Sequence, residues 1–361
     1  MYTIVDLCSP ACMNRPTKQP FAPVLVALIA VLALIGGCSD DPVDEPLPPA
    51  DGPRELATPT ALADSTLAAY DARTDRAYVA VDDTLYLLDY AGAAPAELFR
   101  AEGRIAALAS SEHGLLVLAA IGEEQSVLEI LEHSGERRER VEMPMPPDAG
   151  PVARWLTADT VVVVGQGEVN AWTVHLPSGE VSSSSIYFFV YQALGSGMWE
   201  QSLYLPSAYP GEVVESRLAE DGSLAEVRRV MVNDWLHDVA MLDGSHALVA
   251  GHLEGVGVVE LVEPDGPGSA PYQLISPMLW AYSMVGDGYA YSVANNAIAC
   301  IDVATLTSHE TLVPGLEERG FGNQTVPFGE RVPGRVLLHQ PGVGVVEFDC
   351  TAPATGTRAH E

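Results

Sequence analysis

One hydrophobic pattern recurs along most of the chain. An apolar run meets a short turn, and a second apolar run then ends at a polar position before a Gly/Ser/Asp-rich turn. The copies are YVAVDDTLYLLD (78–89), LLVLAAIGEEQSVLEILE (115–132), TVVVVGQGEVNAWTVH (160–175), SLYLPSAYPGEVVESRL (202–218), ALVAGHLEGVGVVE (247–260), YAYSVANNAIACID (289–302) and RVLLHQPGVGVVE (335–347). Their last residues, Asp89, Glu132, His175, Leu218, Glu260, Asp302 and Glu347, are 43, 43, 43, 42, 42 and 45 positions apart. One pair is nearly literal: H-x-x-G-V-G-V-V-E begins at His252 and again at His339, two periods later.

A period of about 40 to 50 residues with strand-like units predicts an all-β fold, a seven-bladed β-propeller of four-stranded repeats. The middle strands of a blade are covered on both faces by neighbouring blades. They should therefore read as continuous apolar runs, and LLVLAAI and VVVV do. Outer strands face water, as ERRERVE (136–142) and LAEVRRV (224–230) suggest. The last unit stops after its third strand. Its fourth is expected from residues 54–62, closing the ring and leaving no free edge. The alternative, tandem β-sandwiches, predicts no seven units of equal length.

Two units carry a family resemblance. RAYVAVDDTLYLLDYA (76–91) and GYAYSVANNAIACIDVATLTSHETL (288–312) resemble YVTN-type propeller repeats: a Tyr-Val strand, a short turn, an aliphatic strand ending in Ile-Asp, then a Thr-rich turn. The resemblance covers two of the seven units and implies an exported propeller that acts as a binding surface. Some relatives are lactonases, but none of their catalytic residues falls on a matching motif here.

The N-terminus has a different character. Arg15 and Lys18 precede an apolar run at 21–35 (FAPVLVALIAVLALI), which is short of the ~20 residues that span a bilayer as a helix. The run ends in Ile35-Gly36-Gly37-Cys38, which resembles the lipobox of bacterial lipoproteins. Residues 13–37 are thus expected to be a signal peptide starting at Met13, with 1–12 an upstream extension. Cys38 is the expected lipidation site, carrying a diacylglyceryl group and an N-acyl chain such as palmitate. Two such attachments anchor stably where one does not. Residues 38–53 combine proline with carboxylates in an extended tether, and 54–361 form the propeller. Ser39 after the cysteine favours the outer membrane over the inner, so the expected location is the bacterial cell envelope.

Charge narrows the partners. The net charge is -31 and Lys18 is the only lysine, so the surface repels phosphate backbones and nucleic acid is excluded. The missing lysine also excludes a P-loop, a Schiff base and a Ser-Lys dyad from the mature chain. Nucleophile-elbow, HExxH, dinucleotide and EF-hand motifs are absent, so no cofactor is expected. Cys300 and Cys350 fall on or just past third strands of adjacent blades. Sheets stack ~10 Å apart and a disulfide needs Cα atoms within ~7 Å, so Cys300 is expected to be a small core residue. Asp82 and Asp83 fit turn chemistry, and His252 and His339 a repeated structural hydrogen bond.

The candidate ligand site lies on the inner strands lining the channel. Trp235, His237, Asp238, Trp280, Tyr282, Tyr191, Gln192 and Arg154 cluster near the first strands of the third to sixth units, where other inner strands are bland, as in IAALA at 105–109. Convergent aromatic and titratable groups suit a ligand pocket, although each also suits blade contacts. Two functions remain open. One is a monomeric, envelope-anchored scaffold for a protein, peptide or glycan. The other is a hydrolase or lactonase using a divalent cation held by His237, Asp238 and nearby carboxylates.

Overall fold

The computed structural model describes residues 54–55, 62, 64–88, 94–122, 125–145, 151–165, 170–186, 197–207, 211–232, 235–251, 255–261, 272–276, 281–294, 297–312, 324–350 and 358–359. All lie within one compact unit, Pro49–Glu361. The leader, Cys38, Tyr191, Gln192, His252 and Trp280 are outside the described residues.

A short strand β1 (Arg54–Glu55) precedes seven antiparallel sheets. Blade 1 comprises β2 (Leu67–Asp71), β3 (Arg76–Val81), β4 (Thr84–Leu88) and β5 (Ala96–Arg100). Blade 2 holds β6 (Arg104–Ser111), β7 (Gly114–Ala120), β8 (Ser126–Leu131) and β9 (Arg137–Met143). Blade 3 holds β10 (Val152–Thr157), β11 (Thr160–Val164), β12 (Ala171–His175) and β13 (Glu180–Ser184). In blade 4 are β14 (Gly197–Trp199), β15 (Ser202–Ser207), β16 (Glu212–Leu218) and β17 (Leu224–Met231). Blade 5 has β18 (Leu236–Met241), β19 (His246–Gly251), β20 (Val256–Glu260) and β21 (Tyr272–Ser276). Blade 6 has β22 (Tyr282–Val285), β23 (Tyr289–Ala294), β24 (Ala297–Asp302) and β25 (Ser308–Leu312). Blade 7 has β26 (Val326–Val332), β27 (Arg335–Gln340) and β28 (Gly344–Asp349). Each repeated apolar pair in the sequence is the second and third strand of a blade.

The ring closes as expected. β1 pairs with β28, Arg54 opposite Glu347 and Glu55 opposite Val346, and supplies the fourth strand of blade 7. A feature without a sequence signal is β29 (Arg358–Ala359), which adds a fifth strand to blade 6 by pairing with β25.

The core is divided among the seven blade interfaces, each filled by its own apolar cluster. Val161, Val162, Val163 and Val164 alternate between the interfaces on either side of blade 3, which is why the run is continuous. Burying each such side chain is worth about 1.5–3 kcal/mol. The cluster that joins blade 7 to blade 1 places Leu337 and Val345 against Ala77, Val79 and Leu62. Polar ties reinforce this closure: Arg331 of blade 7 pairs with Glu347 at 3.2 Å and with Asp75 of blade 1 at 3.0 Å. Blade 7 also approaches blade 1 closely enough to require glycine. A Cβ on Gly329 would lie 2.4 Å from Cβ of Tyr70.

Cys300 and Cys350 are joined in a disulfide, which corrects the expectation of an isolated core cysteine. Cys300 does lie on β24, facing blade 7 among Val336, Leu338 and Val346. Cys350, however, is one residue beyond β28. It is free of the ~10 Å spacing of packed sheets, and its Cα comes within 6.1 Å of that of Cys300. The bond crosses the interface between blades 6 and 7.

Two smaller expectations resolve as structural roles. Asp82 takes the left-handed conformation in its turn (φ 51°), while Asp83 accepts from Thr84 and pairs with Arg100 at 3.2 Å. His339 sits within β27 rather than in a turn, buried, and its Nε2 shares a 2.9 Å hydrogen bond with Ser65 Oγ. Burial pulls its pKa down to about 4, so its ring is neutral.

Candidate functional site

The innermost strands β2, β6, β10, β14, β18, β22 and β26 surround a central channel with a cavity of about 550 Å³. Its wall is mostly small or apolar: Ala68, Ala107 and Ala109 on one side, with Leu67, Leu108, Val152, Met198, Met241 and Phe328 around the rest. Polar groups interrupt it, among them Ser110, Gln324 and His339, and Arg154, Asp238 and Tyr282 are the ones the sequence singled out for the ligand site. These last three stand near the beginnings of their strands, toward the same end of the channel.

Local irregularity places Asp238. The pairing of β18 with β19 shifts between Leu236 and Asp238, so His237 is the extra residue of a β-bulge. The bulge lets two consecutive side chains reach the same neighbour. His237 Nε2 donates to the carbonyl of Ala281 at 2.8 Å, which fixes the protonated nitrogen. Asp238 accepts the backbone N–H of Ser283. Together they satisfy backbone groups on both sides of Tyr282 and tie blade 5 to the first strand of blade 6. The ring of Tyr282 stands edge-on to His237, with centroids 6.1 Å apart.

Electrostatics follow from depth. Burial pushes the Asp238 carboxyl up to about 7, against the opposing pull of the Ser283 and Val239 N–H groups and of the Arg154 charge. Burial lowers the pKa of Arg154, and the charge of Asp238 works the other way. Tyr282 is pushed up to about 12, by burial first and by Asp238 second. Arg154 is partly buried along the lumen, and among the described residues its one hydrogen bond is from Nη1 to the carbonyl of Ala153 at 3.0 Å.

The structure thus brings Arg154, His237, Asp238 and Tyr282 together. Trp235 lies apart, exposed at 44%. Among the described residues, no group of three or more His, Cys, Asp or Glu is arranged to hold a metal ion. The apolar lumen residues Met198, Met241 and Phe328 carried no sequence signal, since a methionine or phenylalanine beside a strand is ordinary core.

No family model and no curated protein matches the chain. Solved structures do. The β-propeller domain of Cps50 (Swd1) from Myceliophteria thermophila is similar with a TM-score of 0.57 at 12% identity, over 80% of this chain and 98% of that one. YCF48, solved bound to D1 peptide, gives 0.56 at 9% identity, over 86% and 99%. The Pan2 WD40 domain of Neurospora crassa gives 0.54 at 11% identity, over 80% and 89%. At such identities the likeness is one of fold, and the chain has the WD40-like fold of a seven-bladed β-propeller.

Proposed function

We propose that the chain is a propeller scaffold, acylated on Cys38 and held at the bacterial envelope, that receives a peptide or protein partner in its channel. The carrying observation is the channel itself, a lumen of about 550 Å³ of mixed apolar and polar lining in which Arg154, Asp238 and Tyr282 stand near one mouth. A few convergent polar groups in a cavity of this size are what orient a bound ligand. His237 and Asp238, the two ligands named for the hydrolase reading beside nearby carboxylates, are engaged by the backbone of blade 6. YCF48, a propeller of similar fold, is known with a peptide bound.

The address rests on residues 13–38, where a basic segment, an apolar run and a lipobox-like cysteine follow in order. Two further features support export: the YVTN-like units at 76–91 and 288–312, and a disulfide, which persists in oxidising compartments. Residues 38–53 hold the propeller off an outer-membrane surface, and the chain acts as a monomer.

The test is a pull-down from native envelopes with the wild-type chain beside Tyr282→Ala, both checked for an unchanged melt. A partner recovered by the wild type and lost by the variant is expected; equal recovery by both overturns channel binding. Metabolic labelling with palmitate should mark the wild type and spare Cys38→Ala, and a labelled variant would remove the anchor.

A further inference from the structure

Most described arginines sit beside carboxylates; Arg73 and Arg76 do not, but they lie outside the channel lining, Arg73 exposed and Arg76 donating to the carbonyl of His133. Arg100, Arg137, Arg138, Arg140, Arg217, Arg228, Arg229, Arg331 and Arg335 each have one within 4.0 Å. With 49 acidic residues against 18 basic ones, that is the expected condition. Arg154 departs from it inside the channel. It is the arginine of the channel lining, and no carboxylate of the described residues lies within 4.0 Å of its guanidinium. Asp238 is near enough to influence it but is turned to Ser283 and Val239.

A guanidinium has five N–H donors in a planar fork, and Arg154 uses one of them on its own strand. The lumen that Arg154 lines is walled by Leu108, Val152, Met198 and Phe328, with Ser110 and Gln324 among its polar groups. A charge with no carboxylate within 4.0 Å among the described residues is costly in such surroundings unless something neutralises it, and the group that fits the fork is a carboxylate, accepting two parallel hydrogen bonds. We propose that Arg154 anchors the carboxylate of an apolar ligand in the channel. Its carboxylate takes the free edge of the guanidinium, and its apolar body lies against the lumen wall. The shared chemistry is an acidic group beside hydrophobic surface, supplied either by an Asp or Glu side chain of a peptide or by a small organic acid. This assignment deepens the reading of the channel as a binding site and rests on it.

Calorimetry on the full chain tests it with two pairs of probes. Acetyl-Leu-Glu-Leu-amide is compared with acetyl-Leu-Gln-Leu-amide, and 4-phenylbutyrate with 4-phenylbutyramide. In at least one pair the acid should bind the wild type about tenfold or more tightly than its amide, the scale of a charge-assisted hydrogen bond. Arg154→Met should erase that preference and Arg154→Lys should retain part of it. The pair that responds identifies the source of the carboxylate. Equal binding of acid and amide, or an undiminished preference in Arg154→Met, overturns the assignment. If no acid binds while the envelope partner still depends on Tyr282, the carboxylate anchor fails and channel binding stands; if that dependence is also missing, both fall.

Discussion

The disulfide between Cys300 and Cys350 offers the sharpest stability test. It closes a loop across 50 residues, and that loop contains the passage from blade 6 into blade 7, where the ring is finally sealed. In the chain-entropy treatment, a cross-link over a loop of this length removes about 14 cal/mol/K from the unfolded ensemble, or about 4 kcal/mol at 25 °C. The native state has little to lose when the bond is cut, because Cys300 remains packed among Tyr291, Ile298, Val336 and Phe348. Reduction should therefore act almost wholly on the unfolded chain. Urea unfolding of the oxidised and reduced protein is the assay, with Cys350→Ala as the permanent version of the cut. Both should lose about 4 kcal/mol, and the urea dependence should steepen as the unfolded chain expands. Thiol titration of the unfolded, unreduced protein should find neither Cys300 nor Cys350. A loss below about 1 kcal/mol would refute the entropic argument, and free thiols at these two positions would refute the bond itself.

Asp238 makes stability depend on pH in an unusual direction. Its folded pKa, about 7, lies above the unfolded value of 3.8, so its contribution is fully present below pH 4 and is lost as pH rises through 7. The gap corresponds to about 4 kcal/mol, and Asp238→Asn, which keeps an acceptor for the Ser283 N–H, should remove that slope. Urea midpoints at pH 5 and pH 8 decide it: parallel wild-type and variant values at both would show that Asp238 ionises freely. A chain beginning at Leu62 lacks β1 and its pairing with Glu347 and Val346. Losing those ladder bonds should cost about 1–3 kcal/mol. An unchanged melting temperature would mean that blade 7 closes without its fourth strand.

The fold was legible because propeller blades are self-similar and covered on both faces. Seven apolar pairs at near-constant spacing can bury themselves against one another in few ways, and the run at Val161–Val164 excludes the amphipathic period of a helix. Ring closure was legible from a deficit, since a last unit lacking its fourth strand leaves an edge that residues 54–55 fill. The disulfide was misjudged because spacing between sheets governs residues within strands, and Cys350 lies one residue past the end of one. Within the candidate site, the structure brings Arg154, His237, Asp238 and Tyr282 together and leaves Trp235 apart, and the sequence did not say what each does. His237 and Asp238 are adjacent in sequence, and on a regular strand they would face opposite ways. Only the bulge at Leu236/Asp238 lets both hold residues 281–283, and a bulge leaves no mark in hydrophobic patterning. Arg154 shows the complementary limit. Its residue type was visible, but its distinction is to line the channel with no carboxylate within 4.0 Å among the described residues, and that relation exists only once seven blades have been brought around one channel.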